Sequence, residues 1–242
     1  MHRTVPICLV ALGCYPDRPQ PMPERDPSDI EAPLPVPPPP PVPKTPPPPP
    51  EPTFSGTHGP IPADVRAKMT GVTWKEGCPV HIDDLALVEV SHWDMDGVVQ
   101  TGQLVVAASQ AEAIVGVMET LFEARFPIHK MRLAHEYGGS DDASMADNNT
   151  SAFNCRAKTG GKSWSEHSYG AAIDINTIQN PYVRGTKVLP PEGKPYVERS
   201  SEVPGLIVAE GPVVPAFRAI GWKWGGNWRS LKDYQHFSAS GK

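Results

Sequence analysis

Residues 165–174 read Ser165-Glu166-His167-Ser168-Tyr169-Gly170-Ala171-Ala172-Ile173-Asp174, which places a histidine and an aspartate seven positions apart. On one continuous strand, side chains seven positions apart point to opposite faces. The chain must therefore turn between His167 and Asp174 if both are to meet one metal ion. Gly170 allows such a bend at low steric cost. The apolar residues 171–173 predict a short buried strand that carries Asp174 at its end.

A second pair of metal-binding residue types lies near the C-terminus, in the stretch Asp233-Tyr234-Gln235-His236-Phe237. Asp233 and His236 are three positions apart, which suits one face of a turn better than a strand. A zinc hydrolase needs three protein ligands, an open position for water and a carboxylate that is not a ligand. The two stretches together meet this requirement. An isolated His–Asp pair is more often a surface or core pair, so the prediction depends on both stretches. The spacing leaves open which aspartate is the ligand.

The pattern Ser-x-His-x-x-Gly-x-Ala-x-Asp followed by Asp-x-x-His resembles the zinc D-alanyl-D-alanine carboxypeptidase family. That family includes phage endolysins that cut L-alanyl-D-glutamate bonds and the vancomycin-resistance D-Ala-D-Ala dipeptidases. The resemblance covers about residues 75–238. Within it, residues 147–156 look like the segment that carries the family's active-site arginine, and residues 221–228 look like the stretch before the last histidine.

The resemblance implies that His167, Asp174 and His236 bind one zinc ion per chain and that Asp233 is the general base. Dipeptidase relatives carry glutamate at the base position, whereas this chain has aspartate, as the endolysins do. The implied fold is α+β, with a small antiparallel sheet that carries the zinc site and helices packed on one side, as in the DD-peptidases and the hedgehog proteins.

The implied reaction is hydrolysis of peptidoglycan stem peptides, by D-Ala-D-Ala carboxypeptidase or L-Ala-D-Glu endopeptidase activity. Because the hedgehog proteins use the same fold for signalling and structural roles, fold alone does not prove catalysis. The alternative is a non-catalytic, zinc-stabilised module that binds the cell wall. Asp233 distinguishes the two, since a module that only binds has no need of a carboxylate beside an open zinc position.

Three further residues are candidates for substrate contact. Arg156 matches the family's arginine and would either stabilise the developing oxyanion or anchor a substrate carboxylate. Ser165 precedes the first ligand by two positions and is either a substrate contact or a turn hydroxyl. Trp224, in the tryptophan-rich residues 222–228, would either stack on substrate at the cleft rim or pack in the core.

Composition divides the chain of 242 residues into three regions. Residues 1–14 have the outline of a secretory signal, and Gly13-Cys14 resembles the end of a bacterial lipoprotein signal, in which Cys14 is lipidated. The alternative is an unprocessed start. Residues 15–69 form a proline-rich linker that is expected to be extended, because proline runs cannot donate backbone hydrogen bonds or build a core. Residues 70–242 are predicted to be the catalytic domain.

Four cysteines bear on localisation, and two of them, Cys8 and Cys14, belong to the signal. In an exported protein the remaining pair, Cys78 and Cys155, is expected to form a disulfide. The alternatives are a cysteine ligand for zinc, or buried thiols if the chain stays in the cytosol. We expect an exported monomer of the cell envelope that acts on peptidoglycan peptides. The net charge of -5 argues against nucleic acid. Without an apolar run of about 18 residues, membrane contact is expected only through a lipid.

Local patterns also predict the secondary structure before the site. Residues 85–93 and 103–108 are predicted strands around a turn at Asp96-Gly97. A helix is predicted to begin at Ser109 with a capping box to Glu112 and to end by Pro127. We predict another strand at residues 131–137, a polar loop at 138–149, a long insertion at 180–205 and a short helix at 213–220.

Overall fold

A computed structural model describes residues 20–22, 51–158, 161, 163–199 and 202–242. The chain divides into two units, Met1–Pro49 and Pro50–Lys242, and the elements below belong to the second. The predicted signal, the candidate lipidation site Cys14 and most of the linker lie outside the described residues.

The described part of the chain alternates short strands and short helices. The strands are β1 (Gly56–Pro60), β2 (Leu85–Trp93), β3 (Val99–Ala107), β4 (Lys130–Met131), β5 (Asn149–Thr150), β6 (Ala172–Asp174), β7 (Tyr182–Arg184), β8 (Lys187–Leu189), β9 (Lys223–Trp224), β10 (Lys232–Asp233) and β11 (His236–Ser238). The α-helices are α1 (Ala63–Met69), α2 (Ala111–Glu123), α3 (Asp141–Ala146) and α4 (Val213–Ala219). The predicted α+β class with small antiparallel sheets is confirmed. No described helix is long and apolar enough to cross a membrane.

The largest sheet has the strand order β1-β2-β3, and all its pairs are antiparallel. Its central strand confirms the prediction for residues 85–93. The hairpin turn lies where Asp96-Gly97 predicts it: the Asp94 carboxylate accepts from the amides of Asp96 and Val98, and Gly97 has a φ of 74°. Glycine suits this turn because a positive φ costs it little.

Alternate side chains of this sheet enter two apolar clusters, as the pleat of a strand requires. One face contributes residues such as Val88 and Val106 to the main core, which also includes α2, α4 and the apolar residues of β6 and β11. The other face contributes Leu85 and Val105 to a second cluster with α1, Phe153 and Cys155. Both faces of the sheet are therefore covered.

Two smaller sheets carry the predicted site residues. One has the order β6-β11-β9, and the other has the order β10-β7-β8. The first confirms the short buried strand at residues 171–173 that ends at Asp174. Tyr234 and Gln235 connect β10 to β11, so Asp233 lies on one sheet and His236 on the other.

The predicted boundary between linker and domain, at residues 69 and 70, is wrong. β1 pairs with β2 along its whole length, from Gly56 opposite Val90 to Pro60 opposite Ala86, and Phe54 packs against the main core. Scattered glycine and proline made this segment look like linker, but strand pairing and contacts by a few apolar side chains hold it in the fold.

Three local predictions fail: the capping box at Ser109, the strand at residues 131–137 and the loop at residues 138–149. Ser109 lies in a 3-10 turn (Ala108–Gln110), and α2 begins after it without a side-chain cap. That helix ends at Glu123, before Pro127, because Arg125 takes a positive φ of 52°. Of the strand predicted at residues 131–137, only Met131 is extended, in β4, and Ala134–Tyr137 forms a 3-10 helix. The loop at 138–149 contains α3, whose first turn is capped by the Ser140 hydroxyl.

Cys78 and Cys155 form the predicted disulfide and are 77 positions apart. Cys155 is buried in the second apolar cluster, and its amide donates to the carbonyl of Thr73. Closing so long a loop restricts the unfolded chain, which stabilises a fold by about 2–4 kcal/mol in typical proteins. The bridge holds the segment that leads directly into Arg156.

Candidate metal centre

His167, Asp174 and His236 come together from three segments of the chain. β6 and β11 are antiparallel neighbours, and their register places His236 directly opposite Asp174. His167 lies on a 3-10 helix (Glu166–Tyr169) that precedes β6. Gly170 ends this helix with a φ of 63°, so the chain bends where the sequence predicts.

Position 170 requires glycine for two reasons: its φ is positive, and there is no room for a Cβ atom. A Cβ atom at this position would lie 2.4 Å from the backbone nitrogen of Ala107. That amide donates to the Gly170 carbonyl over 2.9 Å, and this hydrogen bond connects the bend to the end of β3. The bend, and with it the separation of His167 from Asp174, is therefore set by contact with the largest sheet.

Metal-binding atoms of these three residues converge in one pocket. His167 Nε2 lies 3.2 Å from Asp174 Oδ2, and His236 Nδ1 lies 2.9 Å from Asp174 Oδ1. The two ring nitrogens are 3.3 Å apart. Ligand atoms of a tetrahedral zinc ion with bonds of about 2.0–2.1 Å stand about 3.3 Å from one another. Two imidazoles and one carboxylate are also a donor set of catalytic zinc sites, so the residues fit zinc.

Backbone carbonyls fix the orientation of both imidazoles. His167 Nδ1 donates to the carbonyl of Ala152 over 2.6 Å, which directs Nε2 toward Asp174 and the pocket. His236 Nε2 donates to the backbone oxygen of Lys242 over 3.2 Å, which directs Nδ1 toward the same carboxylate. Such hydrogen bonds fix the ring orientation that a metal requires.

The charge state of Asp174 suits a ligand. Burial opposes ionisation of its carboxyl, but the charges and hydrogen bonds of His167 and His236 outweigh burial and hold the pKa of Asp174 well below its usual range. The carboxyl is therefore an anion, the form that binds metal ions.

Asp233 lies beside this cluster and differs from Asp174 in its environment. Its Oδ1 is buried and has no hydrogen-bond partner among the described residues. Burial, together with the nearby charge of Asp174, raises the pKa of Asp233 to about 6, although His236 acts in the opposite direction. A buried carboxylate oxygen without a partner is costly. The arrangement is consistent with a group that exchanges a proton with a bound molecule.

A cavity of about 490 Å³ opens onto these four residues. Its wall includes the three ligand side chains, Asp233, Ser165 and Arg156, together with residues of β7 and β8. Its size suits a short peptide or another small molecule.

Arg156 reaches the cavity, but its guanidinium forms an ion pair with Asp141 of α3. Its backbone is tied to the metal-binding segment through the Ser168 hydroxyl, which accepts from the Arg156 amide and donates to its carbonyl. Any anion that binds Arg156 must share the guanidinium with Asp141.

Ser165 is the N-cap of the 3-10 helix that carries His167, and its hydroxyl accepts from the His167 amide over 3.4 Å. This contact matches the turn-hydroxyl alternative. Because Ser165 also lines the cavity, the predicted substrate contact stays a prediction.

The prediction that Trp224 contacts substrate is wrong. Its ring packs in the main core against Phe237, its indole nitrogen donates to the carbonyl of Tyr234, and it is not part of the cavity wall. β9 pairs with β11, which turns Trp224 inward. Trp228 lines the cavity instead, with its ring centre 5.5 Å from that of His236.

Sequence reasoning also missed the β7–β8 hairpin, which forms part of the cavity wall within the predicted insertion. The available signal was Gly185-Thr186 between two short segments that each have a valine at the centre, a two-residue turn signature.

Two imidazoles and a carboxylate beside an open cavity form an arrangement that catalytic zinc sites use. Residues 159–239 match a family model described as D-alanyl-D-alanine carboxypeptidase. This match confirms the resemblance over residues 159–238, and it contains both stretches of the site. Arg156 precedes the matched segment. No solved structure matches the chain significantly.

Proposed function

We propose that this protein is a zinc-dependent peptidase that hydrolyses a peptide bond in peptidoglycan stem peptides. The observation that carries this proposal is Asp233. Its buried carboxylate has an unpartnered oxygen and lies in the same cavity as three convergent metal-ligand side chains. A site that only bound zinc for stability would be closed and would have no use for this group.

His167, Asp174 and His236 would hold the zinc ion, which supplies Lewis-acid polarisation of a carbonyl and a water molecule of lowered pKa. Asp233 would accept the proton of the attacking water and return it to the amine that leaves. The carbonyls of Ala152 and Lys242 keep the two imidazoles in place during these transfers.

Arg156 is proposed to act on the substrate from the cavity wall. Its pairing with Asp141 favours a role in which the guanidinium stabilises charge that develops on the scissile carbonyl, because Asp141 already occupies part of its hydrogen-bonding capacity. A substrate carboxylate bound through two hydrogen bonds would have to displace Asp141.

The disulfide and the description of the matched family support export to the cell envelope, where disulfides form and peptidoglycan lies. We also propose that the bound ion is zinc and that Cys14 carries a lipid.

The test is digestion of stem peptides by the full chain, with products read by mass spectrometry. Zinc-loaded protein should cut either a peptide that ends in D-Ala-D-Ala or one that contains L-Ala-D-Glu, and metal-stripped protein should cut neither. Loss of a terminal D-Ala identifies a carboxypeptidase, and cleavage at the L-Ala–D-Glu bond identifies an endopeptidase. Tight zinc binding without any cleavage would overturn the proposal in favour of a zinc-stabilised binding module.

Gly225→Ala tests whether the position of Asp233 matters to the reaction. A Cβ atom on Gly225 would lie 2.6 Å from the Asp233 carbonyl oxygen and 2.9 Å from its Cβ, so β10 must shift. Small displacements of a catalytic group cost up to about 100-fold in rate. We expect kcat to fall by about 10- to 100-fold while the zinc content stays the same, measured by steady-state kinetics and metal analysis.

The matched control is Gly116→Ala in α2, where an added Cβ atom meets nothing within 4 Å. It should keep wild-type kcat. Equal loss of activity in both variants, or loss of zinc from Gly225→Ala, would contradict the positioning role.

A further inference from the structure

One face of the β7–β8 hairpin forms part of the cavity wall. Tyr182 and Arg184 of β7, and Lys187 and Leu189 of β8, line the cavity, whereas Val183 and Val188 do not. This alternation is what the pleat of a strand produces. The register pairs Tyr182 with Leu189 and Arg184 with Lys187, so all four side chains share one face.

The two cations of this face are cross-strand partners. Like charges directly opposite each other destabilise a sheet, and no carboxylate among the described residues forms an ion pair with Arg184 or Lys187. Two other basic residues of the cavity wall have acidic neighbours: Arg156 pairs with Asp141, and Lys158 lies 3.9 Å from Glu166. The hairpin therefore offers two adjacent, exposed positive charges that have no ion-pair partner among the described residues.

The same sheet fixes where these charges lie relative to Asp233. β7 pairs with β10, and Tyr182 is directly opposite Asp233. Arg184 is two positions further along β7, which is about 7 Å along the strand, and neighbouring strands stand about 5 Å apart. The backbone of Arg184 is thus on the order of 8 Å from that of Asp233, and a long side chain spans most of that distance.

We propose that Arg184 and Lys187 form a carboxylate subsite for the residue whose amine leaves during hydrolysis. This inference rests on the proposed function. Because Asp233 returns a proton to the leaving amine, that residue must lie on the Asp233 side of the cavity, next to the hairpin. In both candidate substrates it carries a carboxylate: the terminal D-Ala of a D-Ala-D-Ala peptide, or the D-Glu that follows L-Ala.

The test compares matched peptides in which this carboxylate is free or amidated, in both the D-Ala-D-Ala and the L-Ala-D-Glu series. Zinc-loaded wild type should cut one series with a lower KM for the free carboxylate. Arg184→Gln/Lys187→Gln should raise that KM by about 2- to 30-fold, which corresponds to the loss of two exposed ion pairs, and should leave the KM of the amidated peptide unchanged. The peptide series in which the double variant raises KM shows whether the bound carboxylate belongs to the terminal D-Ala or to D-Glu.

The control is Arg218→Gln/Lys75→Gln, which removes the same two charges from exposed positions outside the cavity wall. It should behave as wild type. The same peptides are also titrated calorimetrically into each protein carrying Asp233→Asn, so that binding is measured without cleavage. If no peptide is cut but the free carboxylate binds more tightly and the hairpin variant loses that preference, the proposed function fails, and Arg184 and Lys187 remain a carboxylate-binding site. Equal effects on free and amidated peptides, or no preference in the wild type, would overturn the subsite.

Discussion

Asp233→Asn is expected to reduce hydrolysis by about 100- to 10,000-fold, the contribution of a positioned general acid–base group, while zinc stays bound. The amide has nearly the same shape as the carboxyl but cannot accept the proton of water. The three ligand side chains are untouched, and their imidazoles remain oriented by the carbonyls of Ala152 and Lys242. Stem-peptide kinetics and the zinc content of gel-filtered protein provide the two measurements.

Asp84→Asn is the control for the removal of one acidic charge, because Asp84 is exposed and is not part of the cavity wall. It should leave kcat unchanged. If Asp233→Asn keeps more than about a tenth of wild-type activity, well above what loss of a general base allows, Asp233 is not the base. If it loses zinc, Asp233 is a ligand, and the roles of the two aspartates must be exchanged.

His167→Ala is expected to weaken zinc binding by more than about 100-fold, because changes in residues that merely support a ligand already cost 10- to 100-fold. When the zinc concentration is limiting, activity should fall together with the zinc affinity. The remaining Asp174 and His236 offer two ligand atoms and leave a buried gap between them. Competition with a chromophoric chelator measures the affinity, and thermal unfolding with and without zinc measures the linked stability.

His58→Ala is the matched control, because that imidazole is exposed on β1 and does not line the cavity. Zinc should raise the melting temperature of this variant as it does that of the wild type. An unchanged zinc affinity in His167→Ala would show that the ion binds elsewhere, and the proposed centre would be abandoned.

The sequence predicts much of the cluster of His167, Asp174 and His236 because part of it is encoded locally. The bend at Gly170 and the apolar residues before Asp174 are encoded within ten positions, and the hairpin at Gly97 and the helix α4 are equally local. The family motif adds the distant His236 and assigns the two aspartates. These features depend on backbone angles and on burial of a few adjacent side chains.

Features that depend on distant contacts could not be predicted in this way. Trp224 looks like a rim residue in the sequence, and only its pairing with Phe237 across β9 and β11 turns it into the core. β1 looks like linker until its partner β2 is known. Ser109 has the pattern of a capping box, but a 3-10 turn at that point moves the start of α2.

The pairing of β6 with β11 makes the metal ion a check on strand alignment. Asp174 and His236 are 62 positions apart and meet only because they are opposite each other in the register. A slip of one residue would turn His236 away and bring a neighbour without metal affinity, such as Phe237, to its place. An ion held by both residues, as proposed, would bind only the native alignment and would stabilise it by mass action. During refolding, such an ion would favour the correct pairing of two strands that are far apart in the chain.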